Sequence, residues 1–496
     1  MLKRSLILFF ILVTSVCNGS QDFIDLTFRS SHDDIDLPGD ETMGLLGTSL
    51  LVNHKLNDRF TLYSGLGIYS AISGDRGGFF TGGLDVGAKL QIEKWIFGTG
   101  FFVGGGGGGA APQGGGLMLR PYFSMLRDFR KLKGGFFFSK VKFPNGEIDS
   151  EQLGIQVELP FQIFIADMTG FDMADRNFVL KKSYIAPALL WYSPRKDVKI
   201  RSGSALADDM ALVGIEMGRV VRPNMFLFGE AAGAYRGESD GYAEWLGGLG
   251  IVRPLGDRFI LRAKVAIGSG GGGNVDTGGG LLYKVTAGGA FMSAPHLYLA
   301  VDYGGVDAPD GRFRATMLKA ALHYRRAFAS LSPRGKRLDP SKLAFGRWRI
   351  RLAATRYLAS NSLRKSGVKD DPIDLFGIKF DRFFSEYLYL TGQAGAAYRG
   401  EAGGYATGLF GLGAIYRLTD RFSFQAEALA GAGGGGGIAT DGGRIVQAMA
   451  GGNHRFSKHG GLQILVGRVF ALKGALDTTV FEIAWVRRFN TIESMN

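Results

Sequence analysis

The stretch Arg421-Phe422-Ser423-Phe424-Gln425-Ala426-Glu427-Ala428-Leu429-Ala430 decides the fold. Phe422, Phe424, Ala426, Ala428 and Ala430 alternate with Arg421, Ser423, Gln425 and Glu427. A period of two puts the apolar set on one face of a strand and the polar set on the other. The same strand stands 163 residues earlier, where Phe259, Leu261, Ala263, Val265 and Ile267 alternate with Arg258, Ile260, Arg262 and Lys264. Further on, Phe481, Ile483 and Trp485 alternate with Glu482, Ala484 and Val486, and upstream Leu153, Ile155, Val157 and Leu159 alternate with Gln152, Gly154, Gln156 and Glu158.

The offset of 163 belongs to a whole repeat. Tyr235-Arg236-Gly237-Glu238 returns as Tyr398-Arg399-Gly400-Glu401, Asp257-Arg258-Phe259 as Asp420-Arg421-Phe422, and His296 as His459. A fainter first copy has Gly78-Phe79 where the second has Gly241-Tyr242. The glycine runs Gly104–Gly109, Gly270–Gly273 and Gly433–Gly437 fall at matching places. Such a period is too long for a solenoid unit of about 20–50 residues, so each copy is a small domain. The expected division is a leader over 1–20, repeats over 21–165, 183–329 and 345–490, linkers over 166–182 and 330–344, and a tail over 491–496.

The leader follows from Lys3 and Arg4, the apolar run Leu6–Val16 and the small polar stretch Cys17-Asn18-Gly19-Ser20. That is the order of a cleaved secretory signal, and the run is too short for an ordinary spanning helix. Whether Cys17 is lipidated stays open.

The third copy divides into eight segments, near 345–359, 371–383, 386–399, 404–418, 420–433, 443–456, 461–472 and 478–489. Their length, their apolar faces ending in aromatics, and turns alternating between short (Leu418-Thr419-Asp420) and long (360–372) describe strands facing lipid. The composition agrees: 78 Gly, 38 Phe and 17 Tyr among 496 residues, only 14 Pro, and a single Cys that excludes a disulfide framework. Each copy resembles the small eight-stranded outer-membrane barrels of the OmpA and OmpX type. That resemblance implies an all-β, transmembrane antiparallel barrel protein of about 24 strands in the outer membrane of a Gram-negative-type bacterium. It further implies outer-membrane lipid and lipopolysaccharide as surroundings and the barrel-assembly machinery as a partner. Phe481, Ile483, Trp485 and Phe489 resemble the C-terminal strand signal read by that machinery, although seven residues follow Phe489.

Backbone in lipid must close on itself, and two closures satisfy the count: three barrels of eight, or one of 24 with a lumen. The charges expected on the inner face are Glu230, Glu244, Arg262, Lys264, Asp302 and Lys319 in the second copy. In the third they are Arg347, Arg349, Arg351, Glu427 and Glu482. Glu427 stands where Lys264 stood and Glu482 where Lys319 stood, so signs have changed together within a copy. A packed interior demands that compensation, because buried charges must be paired, and a wet lumen does not. Three barrels are therefore the leading reading, with an envelope-scaffold or surface-binding role. A 24-strand porin-like channel is the alternative, and the oligomeric state stays open.

Chemistry is sparse. No Gly-Lys-Ser/Thr follows any glycine run, so the phosphate-loop pattern fails and the runs read as flexible external loop tips. The six histidines offer no two-histidine pair on one face. His32, beside Asp33 and Asp34 in the expected first external loop, lacks a catalytic partner, and His323, His296 and His459 fall on the periplasmic side. No catalytic, cofactor-binding or metal site is expected. The net charge of +13 lacks the basic stripe with interleaved aromatics that nucleic acid requires.

Overall fold

A computed structural model describes residues 23–164, 177–195, 209–237, 239–331, 335–360, 362–365 and 371–494. The leader with Cys17, most of the first linker and residues 495–496 lie outside them. The first repeat supplies β1 (Phe23–Leu37), β2 (Glu41–Lys55), β3 (Phe60–Ser73), β4 (Phe80–Ile92), β5 (Trp95–Gly107), β6 (Met118–Asp128), β7 (Lys133–Lys142) and β8 (Asp149–Phe164). The second supplies β9 (Asn177–Pro194), β10 (Met210–Arg222), β11 (Met225–Arg236), β12 (Ala243–Leu255), β13 (Phe259–Gly271), β14 (Leu281–Ala294), β15 (Leu297–Asp307) and β16 (Arg314–Leu331). After the two-residue β17 (Lys336–Arg337) the third repeat runs through β18 (Leu343–Tyr357), β19 (Ile373–Phe383), β20 (Leu388–Arg399), β21 (Ala406–Arg417), β22 (Phe422–Gly434), β23 (Arg444–Arg455), β24 (Gly460–Ala471) and β25 (Asp477–Ser494).

The protein is an all-β, antiparallel, closed-barrel protein. Neighbours in sequence are neighbours in the sheet. β1 closes onto β8, from Phe23↔Phe164 to His32↔Ile155, so residues 23–164 form a barrel by themselves and a single ring of 24 strands does not form. β9–β25 make a further closed sheet containing two ladders that return to their own starting strand. β9 pairs with β16 from Pro194↔Ala315 to Phe178↔Leu331, and β18 pairs with β25 from Leu343↔Ser494 to Tyr357↔Val480. Among the described residues one backbone pair, Phe328↔Glu493, connects these two runs, and β17 of the linker pairs with β9.

The described strands number 25 rather than 24, because the second linker contributes β17. That linker continues into a one-turn helix over Pro340–Lys342, where Asp339 accepts hydrogen bonds from the Ser341 amide and hydroxyl at 3.0 and 2.7 Å. Those bonds hold the Asp339 carboxyl below its ordinary value. Strands also run past the expected repeat limits: β9 begins at Asn177 and β25 ends at Ser494. Their ends meet those of β8 and β16 at the short-turn side, where Phe164, Phe178, Ala329 and Ile492 pack as one buried cluster.

The alternation builds two different environments. Leu153, Ile155, Val265, Val285, Val301 and Val466 are each more than half exposed on the outside, a density of apolar surface that a monomer in water rarely shows. Inside, bulky rings lie over glycines: a Cβ on Gly250 would overlap the Phe226 ring, and one on Gly413 the Tyr389 ring. Small residues facing large ones fill a narrow barrel without a lumen. Proline leaves its mark twice: the β6·β7 ladder skips from Leu119↔Lys142 to Tyr122↔Ser139 with Pro121 in the gap. The β9·β16 ladder skips from Ala188↔Ala321 to Ile185↔Tyr324, and Pro187, which has no N–H to give, sits in the gap.

Candidate functional site: charged interiors and glycine seams

Each ring carries a polar network at mid-depth, held by inward positions on strands far apart in sequence. In β1–β8 the buried charges are Arg29, Lys89 and Arg120 against Asp33, Asp85 and Glu158. Arg29 reaches Asp85 and Glu158, both at 3.1 Å, Lys89 reaches Glu158 at 2.6 Å, and Arg120 pairs with Asp33 at 2.5 Å while lying over the Tyr69 ring.

In β9–β16 four bases face four acids. Arg262 grips Asp302 through two bonds of 2.6 Å. Lys264 bridges Glu216 and Asp302 at 2.8 Å each. Lys319 bridges Glu216 and Glu230, and Lys284 bridges Glu230 and Glu244. Tyr184 donates to Glu216 at 2.6 Å and Tyr192 to Glu244 at 2.7 Å.

In β18–β25 Arg349 and Arg351 share Asp381 at 2.6 and 2.7 Å, Arg351 also reaches Glu427 at 2.9 Å, and Lys379 joins Glu427 to Glu482 at 2.6 and 2.8 Å. Two further buried acids, Asp374 and Glu493, pair with the partly exposed Arg356 and Arg382. Water-excluded charges survive only when paired and hydrogen-bonded in this way.

Ten of the eleven inward charges expected from the sequence, namely Glu230, Glu244, Arg262, Lys264, Asp302, Lys319, Arg349, Arg351, Glu427 and Glu482, are buried in these networks. Arg347 is the exception: it stands one turn-ward step from Arg349 on β18 and is half-buried. The sequence reading missed Glu216, Lys284, Lys379 and Asp381, and five of the six charges of the first ring, Glu158 having been read onto the polar face of its strand. His323 lies opposite Tyr298, beside the short turn that precedes β15, and is buried next to Arg262, whose Nη1 lies 2.7 Å from its Nε2. His32 belongs to β1 rather than to a loop, with Nδ1 3.1 Å from the Leu45 carbonyl. Of the strand-signal residues, Phe481 and Ile483 are exposed on the outside, Phe489 is half-buried and Trp485 is buried. Among the described residues no group of three His, Cys, Asp or Glu side chains converges as metal ligands would.

The glycine runs are not free tips. They are largely buried at the long-loop ends of β5, β13 and β22, where the repeats touch one another. Gly78 lies against Gly271 and Gly272, Gly241 against Gly434 and Gly435, and Gly404 against Gly107 and Gly108. The three leading glycines share one backbone conformation, with φ of +89°, +91° and +89°. Any side chain there would meet both a left-handed backbone and the neighbouring repeat's main chain. Each contact sets the end of a third strand (β3, β11, β20) against the end of a fifth strand in another repeat (β13, β22, β5). First meets second, second meets third, and third meets first.

The contact is a closed, head-to-tail ring with pseudo-threefold character. Hydrogen bonds cross it: Gly77 N to Gly278 O at 2.7 Å, Gly404 N to Gly106 O at 3.1 Å, Trp245 Nε1 to Ser70 Oγ at 3.1 Å and Ser269 Oγ to the Ala71 carbonyl at 2.6 Å. Between the second and third repeats, Lys365 pairs with Asp240 at 2.9 Å.

No family model and no curated protein matches the chain. Solved outer-membrane barrels resemble it. OccAB3 of Acinetobacter baumannii is 9% identical over 95% of this chain and 99% of its own, with a TM-score of 0.25. A mutant of the ferric enterobactin receptor PfeA of Pseudomonas aeruginosa is 11% identical over 94% and 80%, with a TM-score of 0.30. OpdQ of P. aeruginosa is 9% identical over 94% and 97%, with a TM-score of 0.23. None of these three is an OmpA- or OmpX-type barrel. Likeness at this level carries no functional argument.

Proposed function

We propose that the chain is a non-enzymatic integral protein of the outer membrane of a Gram-negative-type bacterium. Its three repeats are read as three tandem eight-strand barrels, each plugged by its own side chains and fastened to the others at their outer ends. On this reading it serves as an envelope scaffold or surface binder among outer-membrane lipid and lipopolysaccharide, after delivery by the barrel-assembly machinery. The single observation that carries the reading is the pairing inside each ring. Charges are bridged at 2.5–3.1 Å inside each ring, as a plugged interior requires, whereas a conducting lumen keeps its charges hydrated. Planar-bilayer recording tests it. The plugged reading expects no unitary steps from the purified chain, and stable nanosiemens steps would overturn it.

A porin-like path for small polar solutes is the second reading, and one feature favours it. The short-turn mouth of the β1–β8 ring opens into a vestibule of about 400 Å³ lined by Asp25, Lys55, Arg59, Lys89 and Lys133. On that reading, small steps would appear in the recording and vanish in Lys89→Met.

A further inference from the structure

The three seams share one backbone geometry, but one of them carries charge that packing does not require. At the outer end of the seam between the second and third repeats lies a cavity of about 830 Å³, lined in part by Arg236, Arg444, Lys473, Asp209 and Asp441. The offset of 163 provides an internal control. At the seam between the first and second repeats, Ser73 stands for Arg236, Leu281 for Arg444, Asp310 for Lys473 and Gly278 for Asp441. The remaining seam retains only Arg399 in place of Arg236. The same glycine contact therefore forms without these cations, and folding does not account for them.

Nor do they serve one another. None of the five side chains makes an ion pair or side-chain hydrogen bond among the described residues, although acids and bases line one cavity. Asp240, which also lines it, is already held by Lys365 and by the Thr440 hydroxyl. Trp191 and Tyr235 also line it, and Trp191 is exposed on the outer face of β9. Indole and phenol rings at the end of a lipid-facing strand favour the headgroup level. Bases and acids side by side fit a ligand that carries both charges, one anionic and compact, the other cationic.

We propose that this cavity binds the headgroup of a zwitterionic phospholipid, with the phosphate on Arg236, Arg444 and Lys473 and a primary ammonium against Asp209 and Asp441. Arg and Lys are the side chains that match phosphate oxygens by geometry and charge. The inference rests on the membrane reading above.

The test uses the full chain in detergent micelles, supplied with equimolar phosphatidylethanolamine and phosphatidylglycerol, and reads bound lipid by native mass spectrometry. The expected result is one retained phosphatidylethanolamine per chain, at least tenfold preferred. The substitutions Arg236→Ser, Arg444→Leu and Lys473→Asp together install the residues of the uncharged seam, and they should lower retention at least tenfold. Arg444→Leu alone supplies the same reading with a smaller change if the triple variant does not fold. Equal retention of the two lipids, or undiminished retention in the variants, would overturn the proposal. So would displacement by chain-free glycerophosphoethanolamine at the same concentration, which would make the cavity a solute site. A chain that needs no detergent at all would fail the membrane reading instead, a separate and recognisable outcome.

Discussion

The second and third repeats fold alike around central charge triads of opposite sign. Glu216 on β10 bridges Lys264 and Lys319, and Lys379 on β19 bridges Glu427 and Glu482. The three positions correspond one to one, since 379 − 216, 427 − 264 and 482 − 319 all equal 163. Every sign is inverted and every contact kept. The triads themselves change from +1 to −1, while over each ring's network the charges balance, four bases against four acids in the second and Arg349, Arg351 and Lys379 against Asp381, Glu427 and Glu482 in the third. What is held constant is that balance and reach, not residue identity. A buried charge is tolerated for its partner's sake, and a triad inverts as a unit because any single inversion leaves like charges together in low dielectric.

The largest effect expected is the breaking of that equivalence. Lys379→Glu places a third carboxylate between Glu427 and Glu482, both essentially inaccessible to water. Removing one partner of such a pair already costs about 3–5 kcal/mol, and inversion adds repulsion. The variant should lose its folded, heat-modifiable form on gels and its urea-resistant fraction in micelles. Adding Glu427→Lys and Glu482→Lys recreates the arrangement of the second repeat and should recover most of that loss. If the triple variant is no better than the single one, the two cores are not interchangeable and surrounding groups such as Arg351, which also reaches Glu427, set the sign.

These triads also mark how far the sequence could be read. Alternation in 421–430 and its copies placed the strands of the third repeat within a few residues, for instance 404–418 against the observed Ala406–Arg417. The reading found Lys264, Lys319, Glu427 and Glu482 but not Glu216 or Lys379, although the same offset links them. Glu216 lies among Val213, Gly214, Ile215 and Met217, where alternation is blurred by apolar residues on both faces. The first repeat was hidden for another reason: its match to the others is faint, and the partners of Arg29 lie 56 and 129 residues away. The glycine runs were misread because a missing side chain does not say what fills the space. Solvent and a neighbouring main chain leave the same letter. A matching glycine in the facing loop, Gly78, Gly241 or Gly404, was the signal that separates them.

Seams and cores differ in kind, and a seam variant sharpens that contrast. Gly404 at φ +89° has the Gly108 nitrogen 3.0 Å and its Cα 3.1 Å from where a Cβ would stand. Gly404→Val combines an unfavourable backbone with a collision, a strain of order 1–3 kcal/mol. Because the collision involves another repeat, relief comes by separation rather than by unfolding. Pulsed spin-label distances between the long loops of the first and third repeats should lengthen and broaden while heat-modifiability stays intact. Loss of the folded form instead would mean that the seam is part of each repeat's own core.

The smallest effect concerns a polar contact on the same ring of seams. Lys365 and Asp240 join the third repeat to the second, with the lysine side chain 49% exposed and the aspartate 17%. Screened by water on one side, such a pair contributes roughly 0.2–1 kcal/mol, far less than the paired charges inside. Lys365→Ala should leave the loop-to-loop distance between the second and third repeats unchanged, because the glycine contact of Gly241 with Gly434 and Gly435 persists. Its effect on the urea midpoint should shrink further as salt rises from 0.05 to 0.5 M, roughly the range over which screening shortens to a few ångströms. A salt-insensitive loss as large as that of a core pair would place Lys365 and Asp240 with the cores, and the division between sign-balanced interiors and backbone-built seams would have to be redrawn.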